Sequence, residues 1–229
     1  MGYKKIIEIK EIVVEQASRV ERMLQGCCGA IIESNQEILE EIIEKQEYKV
    51  NKKEIKIDKI ITNVLALYHP EAKELRYVVM MLRMNYDLER MADRCVDIAK
   101  ALLSVREKTT VTSLFDIDKL LTSVLSVVHE SINSFVNEDI DLAIEVIERE
   151  SESVKMASKS LRELLKYMAC EQQNLEIGFQ IADIIKSLER IASLSTNICE
   201  ATVYIVDGKI IRHHKFQEYI EQRNSEGES

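Results

Sequence analysis

Glu89, Asp93 and Asp97 recur at every fourth position within Asp87-Leu88-Glu89-Arg90-Met91-Ala92-Asp93-Arg94-Cys95-Val96-Asp97-Ile98. At about 100° per residue this spacing sets three carboxylates along one side of a helix and directs Leu88, Met91, Val96 and Ile98 elsewhere. Two carboxylates four residues apart can offer oxygen ligands to one ion, and hard cations and iron accept such ligands readily. The plainer chemistry is a solvated face on which Arg90 and Arg94 pair with acids three or four residues away, at about 0.2–0.5 kcal/mol per pair. Asp87 reads as an ordinary surface acid. One hundred residues on, Ser187-Leu188-Glu189-Arg190-Ile191-Ala192-Ser193-Leu194-Ser195-Thr196-Asn197-Ile198 repeats Leu-Glu-Arg, the small Ala and the Ile in the same register. The chain therefore reads as two copies of one unit.

Enzyme chemistries find little support in the remaining residues. A ferritin-like di-iron site needs Glu-x-x-His on two helices, and none of His69, His129, His213 and His214 has Glu three positions before it. No His-Glu-x-x-His, phosphate-binding loop or dinucleotide-binding glycine pattern occurs either. Cys27, Cys28, Cys95, Cys170 and Cys199 are odd in number and lack C-x-x-C spacing, so they read as reduced, mostly core residues. Met80, Met81, Met84 and Met91 read as core filler, and Glu74 with Arg76 as a helix-surface ion pair ahead of part of a partner-binding surface.

The elements that must position the acids follow from composition. Six Gly and one Pro in 229 residues leave little turn chemistry for a β protein, and 46% hydrophobic content supplies a core. The fold class is all-α. Apolar spacing predicts helices over 3–33, 36–68, 70–105, 116–137, 139–170 and 174–206, with Ser34-Asn35 and Asp116 as caps, Pro70 opening the third helix and Asp207-Gly208 closing the last. Six long helices with short connections make two antiparallel three-helix bundles in tandem. The first copy covers 1–107, a polar, β-branched linker 108–113, the second copy 114–208, and a polar tail 209–229 that reads as frayed, with local packing of Arg212-His213-His214-Lys215 and Phe216 as the alternative.

The formal charge of −9, from 40 acids against 31 Lys plus Arg, argues against nucleic acid as a partner. No apolar run approaches the roughly 18–20 uncharged residues of a membrane span, so the expectation is a cytoplasmic protein without membrane insertion. Ile6 stands where myristoylation needs Ser or Thr.

Four stretches together resemble the PhoU family of phosphate-transport regulators, over residues 3 to 215. They are Ala66-Leu67-Tyr68-His69-Pro70-Glu71-Ala72-Lys73-Glu74-Leu75-Arg76; Asp87-Leu88-Glu89-Arg90-Met91-Ala92-Asp93 with Ile98-Ala99; Leu188-Glu189-Arg190-Ile191-Ala192 with Asn197-Ile198 and Glu200; and Tyr204-Ile205-Val206-Asp207-Gly208-Lys209. The resemblance implies a protein without catalytic activity that represses the phosphate-starvation response by bridging a phosphate ABC transporter and a sensor histidine kinase at the inner membrane face. It also implies a homo-oligomer, such as a homodimer. Some members carry multinuclear iron or zinc on Glu/Asp-x-x-x-Asp motifs in each copy, which makes iron or zinc the cofactor to test here.

Glu89 and Asp93 match that motif in the first copy, and Asp97 extends it. Glu89 lies nineteen residues beyond Pro70, so the antiparallel helix should place Asn51 level with it. Glu47 and Asn51 are then level with Glu89 and Asp93. In the second copy Ser193 replaces the second acid and Asn197 stands for Asp97, leaving Glu189 with Glu150, Glu152, Val154 and Lys155 nearby. Three function classes follow: a regulatory adaptor of phosphate uptake; a metal-dependent protein that senses or stores cations; and a ligand-free structural bundle.

Overall fold

Apolar residues three and four apart carry α1 (Gly2–Glu33), which buries Ile6, Ile9, Val13, Ala17, Val20 and Leu24 on one face. The computed structural model describes residues 2–33, 35–105, 115–211 and 215–227. The linker predicted over 108–113 lies outside these residues. Asn35 caps the next helix as expected, its Oδ1 accepting from the Ile38 N–H at 3.4 Å. That helix is α2 (Gln36–Glu41), which continues through a π turn at Ile42–Gln46 into α3 (Glu47–Tyr68). Gly26 on α1 permits the close approach at this turn. A Cβ there would stand 3.0 Å from Ile38 Cγ2 and 3.1 Å from Ile42 Cδ1.

His69, left-handed at φ 45°, ends α3. Proline disfavours the right-handed helical conformation in the residue before it. The helix expected to open at Pro70 begins two residues later, as α4 (Ala72–Ser104), because Glu71 is in extended backbone at φ −121° and ψ 158°. The second copy repeats the plan with α5 (Ile117–Asn137), α6 (Ile140–Cys170) and α7 (Asn174–Asp207). Asp139 caps α6 by accepting from the Leu142 N–H at 3.0 Å, and Gly208, at φ 72°, closes α7 with its N–H on the Tyr204 carbonyl at 3.0 Å. Asp116 departs from expectation. Its backbone is left-handed, and its carboxylate takes Lys119 at 2.6 Å and Lys159 at 3.4 Å instead of capping α5.

Among the described residues the fold is all-α, a tandem pair of antiparallel three-helix units. The units share one core, because α4 packs on α7, α1 on α4 and α5, and α5 on α7, with α3 and α6 flanking. Ile9, Val13, Met81, Met84, Met91, Ile184 and Leu188 all belong to it, and each large apolar side chain so buried contributes about 1.5–3 kcal/mol. Arg76 does not pair with Glu74. Its Nε and a terminal nitrogen donate to the Ile205 carbonyl of α7 at 3.2 and 3.0 Å, satisfying an acceptor near that helix's C-terminus.

The closing segment is not a frayed tail. After Ile211, which is buried, α8 (Lys215–Gly227) packs Phe216, Tyr219 and Ile220 onto Val127, Ala143, Val146, Cys199 and Val203. The Tyr219 hydroxyl donates to Asp207 Oδ2 at 2.6 Å, and Arg223 pairs with Asp141 at 2.8 Å. Three apolar residues at helical spacing are enough to dock this helix, although the polar residues around them dominate its average. His213 and His214 lie outside the described residues.

Candidate functional site: an acidic face between α3 and α4

Asn85, fully buried on α4, sets the register of the two helices that carry the acids. Its Nδ2 donates to the Glu54 carbonyl at 3.0 Å and to Asp58 Oδ1 at 2.8 Å, while the Tyr86 hydroxyl donates to Asp58 Oδ2 at 3.0 Å. Asp58 is thus level with Asn85 and Tyr86. Glu54, one turn back along α3, comes level with Glu89, one turn forward along α4. This register differs by about one turn from the count taken outward from Pro70. A side-chain clamp decides it, and equal lengths of chain on either side of the turn do not. By the same register Asn51 falls opposite Asp93, and Glu47 lies further along the face. Glu54 and Asp58 join the acids that sequence spacing singled out.

The carboxylates are held in mutual repulsion. Partial burial pushes the Glu89 carboxyl above its ordinary pKa, and Asp93, Glu54 and Glu47 add to the rise against the pull of Arg90. Burial, Asp58 and Asp93 do the same to Glu54. Asp93 is raised by burial and by Asp97, while Arg94 and Lys100 oppose. The Asn51 side-chain oxygen is buried and accepts no hydrogen bond. Oxygen donors of this kind, all acceptors and short of positive charge, suit a hard cation or iron in their chemistry. Among the described residues no three His, Cys, Asp or Glu side chains converge as metal ligands.

Asp97 faces another way. Fourfold spacing drifts by about 40° per step on a helix, so two steps from Glu89 turn Asp97 toward α7. There it pairs with Arg94 at 2.8 Å and lines a groove with Lys186, Ser187 and Arg190. Asp87 is no ordinary surface acid. Its side chain is 14% exposed, and it accepts from Asn197 Nδ2 of α7 at 3.2 Å. Burial pushes its carboxyl upward, against the lowering effects of Asn197, Arg90, Arg83 and Arg190. Asn197, which marks the lost acid of the second copy, thus joins the two repeats. In that copy Glu150 faces Glu189, with burial and then the Glu189 charge raising the Glu150 carboxyl.

Two copies of an antiparallel three-helix unit, paired through α4 and α7 and carrying their motif acids on the third helix of each copy, define the class: a tandem-repeat helical protein with an acidic face. The PhoU domain model matches residues 13–102 and 117–202, one stretch in each copy. The chain belongs to the PhoU family. It is 29% identical over 216 residues to an Aquifex aeolicus protein named phosphate-specific transport system accessory protein PhoU homolog, covering 94% of this chain and 97% of that one. A Clostridium acetobutylicum protein of the same name is 27% identical over 203 residues, covering 88% and 92%. The crystal structure of the phosphate transport system regulatory protein PhoU from Streptococcus pneumoniae superposes with a TM-score of 0.84 at 24% identity, over 93% of this chain and all of that one. PhoU from Pseudomonas aeruginosa superposes at 0.83 and 22%, over 91% and 100%.

Proposed function

We propose that this chain is a non-enzymatic accessory regulator of phosphate uptake, a negative regulator that bridges a phosphate ABC transporter and a sensor histidine kinase. The observation that carries the reading is the near end-to-end likeness to proteins named as phosphate-specific transport system accessory proteins, both repeats included. Among the described residues no helix is long and apolar enough to cross a membrane. We propose further that the protein works in the cytoplasm, as a homo-oligomer reaching the membrane through its partners. Co-purification from phosphate-replete and phosphate-starved cells tests it. Recovery of the transporter ATPase or a membrane histidine kinase is the expected result; recovery of this protein alone in both conditions would overturn it.

A metal-dependent form of the same regulator is favoured by one specific feature, the buried, unpaired Asn51 oxygen beside raised carboxylates. In this reading Glu54, Glu89 and Asp93 hold iron or zinc with Asn51 and Glu47, and Asp97 lies at the margin. The ion would supply positive charge that relieves the repulsion among these acids. Glu189 with Glu150 is the reduced counterpart in the second copy. Elemental analysis of protein from the native cell tests this reading, with sub-stoichiometric metal as the outcome against it.

A further inference from the structure

The antiparallel pairing of α4 with α7 leaves two grooves related by the repeat, one toward each end of the contact. Beside the first, Asp87 accepts from Asn197; Arg83 and Glu200 line it together, and with Val79, Met80, Tyr204, Ile210 and Ile211 they enclose about 160 Å³. The second groove has the same backbone frame and different chemistry. Ser187 stands where Asp87 does and Asp97 where Asn197 does, yet Asp97 turns to Arg94 at 2.8 Å. Ser187 is 4% exposed, lines the groove, and makes no side-chain hydrogen bond to another described residue. The cavity that results is about 410 Å³. We propose that this second groove binds a condensed phosphate chain, such as pyrophosphate, triphosphate or the triphosphate arm of a nucleotide.

Charge carries the assignment. Arg94, Lys100, Lys186 and Arg190 line the groove against two acids, on a chain whose formal charge is −9. Arg94 neutralises Asp97, and Asp183 sits exposed at the rim. Lys100, Lys186 and Arg190, all exposed, form no ion pair with a described residue within contact distance, and the Ser187 hydroxyl and Gln180 amide add neutral donors. Cations and donors converging on a concave surface bind phosphate oxygens by charge-assisted hydrogen bonds, with arginine capable of a bidentate grip. The volume falls in the range of small-molecule sites, about 300–1,000 Å³, which exceeds the need of a single orthophosphate. Among the described residues no aromatic side chain lines the groove on which a base could stack. Successive phosphate groups therefore supply the contacts.

The test is isothermal titration of the full chain, treated with EDTA so that no cation bound at the acidic face can bridge an anion. Sodium tripolyphosphate should bind more tightly than pyrophosphate, and pyrophosphate more tightly than orthophosphate or sulfate, with affinity falling as salt rises. Lys100→Gln with Lys186→Gln should weaken tripolyphosphate at least tenfold and Ser187→Ala severalfold, while Lys52→Gln with Lys56→Gln on α3 should change nothing. Protection of Lys100 and Lys186 from acetylation by tripolyphosphate reads the same contact on the unmutated protein. Absence of tripolyphosphate binding at low salt, equal affinity for orthophosphate, or equal loss in the α3 variant would each overturn the proposal. ATP binding far tighter than tripolyphosphate would also overturn it, in favour of a site that reads the base. None of these outcomes depends on a transporter or kinase partner.

Discussion

Asn197 donates a hydrogen bond to Asp87 at 3.2 Å, joining the two repeats across 110 positions of sequence. The pair runs in step with Arg76 on the Ile205 carbonyl and Arg83 beside Glu200, so α4 and α7 lie antiparallel in a fixed register. Removing Asn197 leaves the Asp87 carboxylate without its amide donor in a poorly hydrated place. We expect Asn197→Ala to cost about 1–3 kcal/mol in urea unfolding, and Asp87→Asn, which keeps a polar partner and loses a buried charge, to cost less. Equal stabilities for Asn197→Ala and the unmutated protein would mean that the register rests on apolar packing alone.

Ala92 lies five residues after Asp87 and Ala192 five before Asn197, so the two are level at the centre of the α4–α7 contact, and both are fully buried. Their small side chains let the helices approach. Ala92→Leu or Ala192→Leu should overpack this crossing and cost about 1–3 kcal/mol. Ala66→Leu, on an exposed position of α3, should stay within about 0.5 kcal/mol. A neutral Ala92→Leu would remove the close crossing from the account.

The acidic face has a signature in pH. Glu54, Glu89 and Asp93 have carboxyls raised above their ordinary values, burial first and neighbouring acids second for Glu54 and Glu89. The folded state then holds protons that the unfolded chain has released, so these groups favour folding at low pH and lose that contribution as pH rises through their folded pKa values. Glu89→Gln removes one such group. Its unfolding free energy should gain on that of the unmutated protein as pH climbs out of the carboxylate range, in metal-free buffer. Parallel pH profiles for the two proteins would show that the repulsion costs nothing.

Cation binding should divide the stripe. Glu89→Gln with Asp93→Asn is expected to lower metal content and leave helicity unchanged, and Glu54→Gln to weaken binding as well, because Glu54 stands level with Glu89. Asp97→Asn should have little effect, since Arg94 already holds that carboxylate. Elemental analysis and equilibrium dialysis read the difference. Metal lost on Asp97→Asn and kept on Glu54→Gln would place the site nearer α7. In the second copy, Ser193→Asp should add bound metal if the missing acid is the main defect there.

α8 is docked by few groups, and Tyr219 and Arg223 make its polar contacts. Tyr219→Phe removes the donor to Asp207 and keeps the ring, which is 3% exposed. Hydrogen exchange should accelerate across 215–227 and stay unchanged in α4 and α7, by a local loss of about 1–2 kcal/mol. Tyr219→Ala should release the helix more fully. Unchanged exchange in both variants would mean that Arg223 with Asp141 and the remaining apolar contacts suffice.

The six long helices, the cap at Asn35, the stop at Gly208 and the repeated Leu-Glu-Arg were legible in the sequence because each follows from local spacing or from the backbone preference of one residue. The acids Glu89 and Asp93 were legible for the same reason. Asp116 was misleading, since two nearby lysines outcompeted the helix N-terminus for its carboxylate. α8 was hidden because its apolar residues are few and their partners, such as Val127 and Val203, lie far away in sequence.

By itself the sequence determined an all-α tandem repeat with an acidic stripe, because helical periodicity is a property of neighbours along the chain. Only tertiary structure decided which acids share a surface. Register between helices depends on long-range contacts, Asn85 on Asp58 and Asn197 on Asp87, that no spacing encodes. Those contacts bring Glu54 to Glu89, set α7 beside the side of α4 to which helical drift turns Asp97, and open a basic groove at Ser187 in a protein whose charge is otherwise negative.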